Sequence, residues 1–378
     1  MKAIHGFLAT ALLGITTAAN AAPVEFGMSI QGRAGYGSNP HLVQDDNPGS
    51  LLVGIRLAPQ IRTRTETSTT SLSGYYDYTH YTRRYGHSDS LGIDARHEQQ
   101  FSPTLSGNVH AGYVDSFNAL FGPLDAIDEV TIGQRQRVVS GDAGLSYQPN
   151  ARDTWDISGY GSSAFYPNAD QRLSDYTNYG GGLGYSRVLN GSTSIGARFG
   201  IGRYDSRFFA DTTSYQPSLT IKQRLSATWA LDAHVGMILQ RSAFAGTHFS
   251  SNSVGFGANL CRTAPRSTLC FEASRDTSPS GLGGLRTELR GTASIDYKLT
   301  DRSSIRASAT YGRSDSSGFS QAANQDFGVV RGEYNYRLTE RISIGGSLDY
   351  RLQKIEGFRN AHAVAGAVNV TTQIGRMN

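Results

Sequence analysis

TELRGTASIDYKL, Thr287 to Leu299, sorts its side chains by parity. Leu289, Gly291, Ala293, Ile295, Tyr297 and Leu299 fall on one face, and Glu288, Arg290, Thr292, Ser294, Asp296 and Lys298 on the other. A strand turns successive side chains to opposite sides, so the alternation resolves into one apolar and one charged surface. A helix would scatter both sets around its circumference. The stretch also opens a repeat: YKLTDRSSI, Tyr297 to Ile305, returns as YRLTERISI, Tyr336 to Ile344, 39 residues later. That offset accommodates two strands and two connections.

Working outward, the same device continues from residue 22. Hairpins are expected at Ala95 to Ala111 around FSPT, Leu145 to Ile157 around QPNARD, Leu183 to Ala197 around RVLNGS and Leu219 to Ala233 around RLSAT. The intervals predict strands near 24–36, 50–62, 70–82, 89–100, 104–116, 131–148, 153–164, 174–187, 193–205, 213–224, 227–240, 249–260, 269–276, 285–299, 303–313, 326–338, 341–353 and 361–375. The fold class is therefore all-β: a closed antiparallel transmembrane β-barrel of about eighteen strands, with sixteen the alternative count. An even number leaves both termini on one side, read as periplasmic together with the short turns. The longer polar connectors, 37–49, 118–130, 165–173, 242–248, 277–284 and 314–325, are read as extracellular. No plug domain or long inward-folding segment is visible, so the lumen is expected to be open or narrowed by side chains alone.

Composition supports a membrane setting. No window holds eighteen consecutive apolar residues, which excludes helical spans. Only helices and closed barrels satisfy every backbone amide in hydrocarbon, and the second solution is left. The 44 glycines let strands bend around a closed sheet, and the 20 tyrosines supply interfacial rings. The expected girdle is Tyr76, Tyr78, Tyr113, Tyr147, Trp155, Tyr179, Tyr185, Trp229, Tyr297, Tyr334, Tyr336 and Tyr350. A soluble β-protein is the competing reading. It would need a core from a second sheet, and the unbroken run of hairpins offers no linker or second composition zone.

Lys2, the apolar run from Phe7 to about Ile15 and the small-x-small Ala19-Asn20-Ala21 read as a signal peptide over 1–21, leaving one barrel domain over 22–378. The net charge of +4 is spread along the chain without a basic cluster, so no nucleic-acid partner is expected. Cys261 and Cys270 face an oxidising compartment and are expected to form a disulfide. A metal pair is the weaker reading, with no further ligand close by.

If the apolar face meets lipid, the alternate residues line the lumen. The candidates are Arg56, Arg96, Arg198, Lys222, Arg224, Glu288, Arg290, Asp296, Lys298, Arg306, Arg331, Glu333, Arg337, Asp349 and Arg351, with Asp94, Glu98, Asp232 and His234 facing the same way. Two readings stand: arginine ladders that attract an anionic solute or charged polysaccharide, or opposite charges that pair across neighbouring strands and solvate the interior. No catalytic, cofactor or metal site is assigned. The histidines after the signal segment, His41, His80, His87, His97, His110, His234, His248 and His362, are dispersed and lie in no nucleophile motif, which leaves an outer-membrane hydrolase as a minor reading.

GYGSNPHL from Gly35 to Leu42, LAPQIRTR from Leu57 to Arg64, the CRTAPRSTLC hairpin and SPSGLGGLRTE from Ser278 to Glu288 together give a chain that resembles a family of outer-membrane β-barrel porins associated with bacterial exopolysaccharide systems. The resemblance implies a pore in the bacterial outer membrane that passes small solutes or polysaccharide. Its implied partners are membrane lipid and the barrel-assembly machinery. A structural or adhesive barrel is the competing class. One departure is the C-terminus, where Val368, Val370, Thr372 and Ile374 alternate but Met377-Asn378 replaces a final aromatic.

Overall fold

Period-two alternation becomes eighteen strands in the computed structural model, which describes residues 23–40, 42, 49–83, 86–117, 135–167, 174–244, 246–281, 284–315, 324–357 and 359–375. In chain order they are β1 Val24–Gly37, β2 Ser50–Arg64, β3 Ser68–Tyr81, β4 His87–Ser102, β5 Leu105–Phe117, β6 Arg135–Tyr147, β7 Asp153–Phe165, β8 Tyr176–Asn190 and β9 Thr193–Ser206. There follow β10 Asp211–Arg224, β11 Trp229–Phe244, β12 Thr247–Ala264, β13 Ser267–Pro279, β14 Leu285–Lys298, β15 Ser303–Asp315, β16 Gln325–Arg337, β17 Ile342–Ile355 and β18 Ala361–Gly375. Each pairs antiparallel with its neighbours in sequence, and β1 closes on β18 from Gly27↔Gly375 to Gly37↔Ala365. Closure removes the free edges that an open sheet would present for aggregation.

Register fixes the two faces. Residues directly opposite on antiparallel strands share a side, so the rows Leu57↔Tyr76↔Leu91 and Tyr147↔Trp155↔Tyr185 run around one surface. On that surface Val368 is 64% exposed and Leu348 62%. Their neighbours in parity are covered: Ser50 and Leu52 are buried where Leu51 and Val53 are bare. Only the concave side of a barrel can be covered by the rest of the chain, so the bare apolar face is the outer one. An apolar belt this extensive is stable against hydrocarbon, not water. All twelve girdle aromatics lie on it by register.

Five of the tight turns use one chemistry. In the turn after β14 the Oγ1 of Thr300 accepts the Ser303 amide at 3.0 Å, and after β16 that of Thr339 accepts the Ile342 amide at 3.0 Å. Thr65 to Ser68, Asn150 to Asp153 and Ser226 to Trp229 repeat the bond at 2.9, 3.0 and 3.1 Å. A short polar side chain that caps an amide three residues on closes the turn without help from the opposite strand. This is the physical content of the LTDRSSI and LTERISI repeat.

Two connectors differ from expectation. The segment 242–248 is a hairpin tip in which β11 and β12 pair to Phe244↔Thr247, with Gly246 in the left-handed region at φ +80. The segment 277–284 begins as strand, because β13 and β14 pair to Pro279↔Leu285. The signal segment 1–21, the connector 118–130 and Met377-Asn378 lie outside the described residues, as do 43–48, 168–173 and 316–323 of the other connectors.

The expectation of a lumen narrowed by side chains alone is overturned. The β13–β14 tip sits inside the barrel against strands four and five places away around the wall: the Tyr204 hydroxyl donates to the Ser280 carbonyl at 2.8 Å and the Ser174 amide to the Gly281 carbonyl at 2.9 Å. A second intrusion follows β1, where Pro40 is fully buried and Leu42 packs on the inward Ala363 and Ala365 of β18.

The disulfide is present: Cys261 and Cys270 face each other on β12 and β13, Cα atoms 4.2 Å apart, next to a short turn. Replacing both by serine is expected to lower unfolding free energy by about 2–3 kcal/mol, since it restores freedom to a short loop in the unfolded chain. Urea midpoints in vesicles measure it. A loss below about 0.5 kcal/mol would show that the unfolded ensemble already holds this hairpin together.

Candidate functional site

Every one of the fifteen lumen candidates lies at an inward position by register, and about half of them are in ion pairs, some across neighbouring strands and one within β14. Arg290 meets Glu288 at 2.9 Å, Arg306 meets Asp296 at 2.6 Å and Glu333 at 4.0 Å, Arg331 meets Asp349 at 2.5 Å, and Lys222 meets Asp232 at 3.3 Å. Arg56 lies over the Tyr75 ring at 4.6 Å, and Arg337 donates to the Asp301 carbonyl. Arg351 is buried on the same face. Arg96, Arg198, Arg224 and Lys298 have no carboxylate within ion-pair distance among the described residues. The wall is thus partly self-neutralised, with Arg96, Arg198, Arg224 and Lys298 left facing the interior without a carboxylate.

Further inward groups complete the pattern. His110 on β5 stands between Asp94 of β4 at 2.5 Å and Asp142 of β6 at 2.8 Å. Each ring nitrogen of the imidazole thus faces one carboxylate. Arg33 on β1 reaches over Gly54 of β2 to Asp77 of β3 with a paired contact of 3.0 and 2.5 Å. Both rest on strands i and i+2 of the wall, a juxtaposition that parity alone does not reveal.

The inward hairpin builds a polar chamber that holds Arg198, one of the cations without a carboxylate partner. Its floor is the glycine-rich inner face of β8 and β9, at Gly182, Gly184 and Gly200. Without Cβ atoms these positions leave room between wall and hairpin. Gly281 serves the same end at the tip, where a Cβ would overlap the Tyr166 ring. The resulting cavity, about 630 Å³, is lined by Asp156 of β7, Arg198 of β9, Gln216 and Lys222 of β10, His234 of β11 and Asp276 of β13. Gln216 donates to the Oγ1 of Thr277 at 2.9 Å and so ties the hairpin to the far wall. A larger concavity, about 980 Å³, lies among the outward residues of β15 to β18, β1 and β2 and belongs to the apolar surface. Arg198 and Lys222 were legible as lumen residues. Gln216, Asp276 and Tyr204 were not singled out, and the signal that could have found the hairpin is the glycine-rich SPSGLGGLRTE.

The sequence matches no protein-family model, and no curated protein matches it. Solved structures do. The OccK2 (OpdF) protein of Pseudomonas aeruginosa superimposes with a TM-score of 0.50 at 11% identity, over 94% of this chain and 98% of that one. The fold is a porin barrel. A BenF-like porin from Pseudomonas fluorescens Pf-5 gives 0.50 at 9% identity, covering 93% of this chain and 99% of its own. The FrpB iron transporter from Neisseria meningitidis gives 0.50 at 8%, covering 93% and 82%. At these identities the likeness concerns the backbone, and the charged lining described above belongs to this chain.

Proposed function

We propose that the chain is a non-enzymatic outer-membrane pore for small polar solutes, with its solute path running past the chamber between Arg198, Lys222 and the β13–β14 hairpin. The observation that carries this reading is the opposition of the two faces: an apolar belt outside a closed wall, and a hydrated, charged interior within it. The short-turn end that holds both termini is then periplasmic, and the hairpin constricts the lumen from the outer half. Arg198, which unlike Lys222 has no carboxylate partner, is the group that would draw an anion into the chamber, and a low-dielectric surround strengthens that attraction.

Refolded protein in a planar bilayer is expected to give discrete single-channel steps. Intact heat-modifiable folding with no conductance would refute the pore and favour a structural or adhesive barrel. Arg198→Ala combined with Lys222→Ala is expected to lower the anion-to-cation permeability ratio about two- to fivefold, the effect of up to about 1 kcal/mol for hydrated charges. An unmoved reversal potential would place the solute path elsewhere. The association with exopolysaccharide systems is a finer proposal drawn from the resemblance. It predicts that a deletion strain exports less surface polysaccharide, and normal export would remove it.

A further inference from the structure

The ladder between β12 and β13 stops half-way. It runs from Ala264↔Ser267 to Phe256↔Arg275, yet β12 continues to Thr247 and β13 to Pro279. On either side the pairing is intact: β11 follows β12 to Phe244↔Thr247, and β14 follows β13 to Pro279↔Leu285. The break is therefore a single seam, and the β13–β14 tip leaves the wall as a unit.

We propose that this tip is a gate with two packings, one folded across the lumen as in this structure and one zipped back onto β12, which widens the path. The proposal rests on the reading of the barrel as a pore. Extending the register past Phe256↔Arg275 sets Asp276 opposite Gly255, Thr277 opposite Val254, Ser278 opposite Ser253 and Pro279 opposite Asn252. Antiparallel pairs alternate between hydrogen-bonded and closer non-hydrogen-bonded types, and the 4.2 Å Cα separation of Cys261 and Cys270 marks theirs as the latter. By parity Val254 and Thr277 would then exchange two backbone bonds. Asn252 and Pro279 would make one, because proline has no N–H.

Against those three bonds, the folded packing has Tyr204 to Ser280, the Ser174 amide to Gly281 and Gln216 to Thr277. The folded packing also buries Tyr204, Leu285 and Arg286, so the two states satisfy different groups of one segment, as a bistable element requires. The exchange also withdraws Thr277 from Gln216 and carries Asp276 from the chamber to the wall, so the zipped state enlarges the chamber that holds Arg198 and Lys222.

The test places one engineered disulfide at the seam. Ser253→Cys with Ser278→Cys, in a Cys261→Ser/Cys270→Ser background, repeats the parity of the native pair eight residues further along β12. Oxidation of the folded protein in vesicles is expected to consume both thiols, read by maleimide labelling, and to raise single-channel conductance severalfold until a reductant restores it. Independently, Tyr204→Phe removes one latch bond and is expected to lengthen the time spent at the high-conductance level roughly fivefold, the weight of one hydrogen bond. Thiols that both label but never pair, or a cross-link that leaves conductance unchanged, would overturn the gate while the pore reading stands. A silent wild-type protein with efficient cross-linking would refute the pore and sustain the two packings.

Discussion

Asp77→Ala is expected to destabilise the barrel by about 3–5 kcal/mol, the loss typical of removing one partner from a buried ion pair. The side chains of Arg33 and Asp77 are 11% and 12% exposed, so neither is free to rehydrate where it stands. Both guanidinium nitrogens of Arg33 engage the carboxylate, at 3.0 and 2.5 Å, and one also contacts the Oγ1 of Thr79. Removing the carboxylate leaves a cation on the covered part of the inner face. Asp77→Asn separates charge from shape: it keeps a hydrogen-bond acceptor and should recover part of the loss. Equilibrium unfolding by urea from vesicles measures both. A change under about 1 kcal/mol for the alanine variant would mean that water reaches Arg33 and that this part of the lumen is open.

Leu348→Arg is expected to cost about 2–4 kcal/mol, whereas Ser347→Arg, one residue away, should cost less than about 1 kcal/mol. Leu348 sits at the middle of β17 and points outward at 62% exposure, where an arginine would meet the centre of the bilayer. Ser347 points into the hydrated interior by the same register. The ratio of the two effects tests the assignment of faces directly, because a soluble barrel would tolerate both substitutions at exposed positions. Equal costs, or a larger cost for Ser347→Arg, would invert the reading of which side meets lipid.

Much of the fold is visible in the residues. The alternation of Thr287 to Leu299 reappears as β14, and the turn-closing Thr300 and Thr339 appear in the repeat that marks the hairpins. The parity of the charged residues places Arg198, Lys222 and the others on one side of the wall. What parity does not give is partnership. Arg33 reaches Asp77 only because Gly54 between them leaves a gap, and His110 meets Asp94 and Asp142 only because three strands bring the residues into one cluster.

The β13–β14 hairpin marks the boundary between the two kinds of information. Strand existence, face and turn chemistry depend on residues within a few positions of one another, so the sequence by itself determined a wall of about eighteen strands with an apolar outside and a charged inside, and closure settled the count. Whether Asp276 to Pro279 continue along β12 or turn into the lumen depends on a competition between near and distant partners. Local backbone pairing favours the wall, while Ser174, Tyr204 and Gln216 offer bonds from distant strands. Groups separated by 61 and 76 residues carry that choice, and only the closed barrel brings them to the same place. The narrow chamber, unlike the wall around it, is a product of tertiary structure.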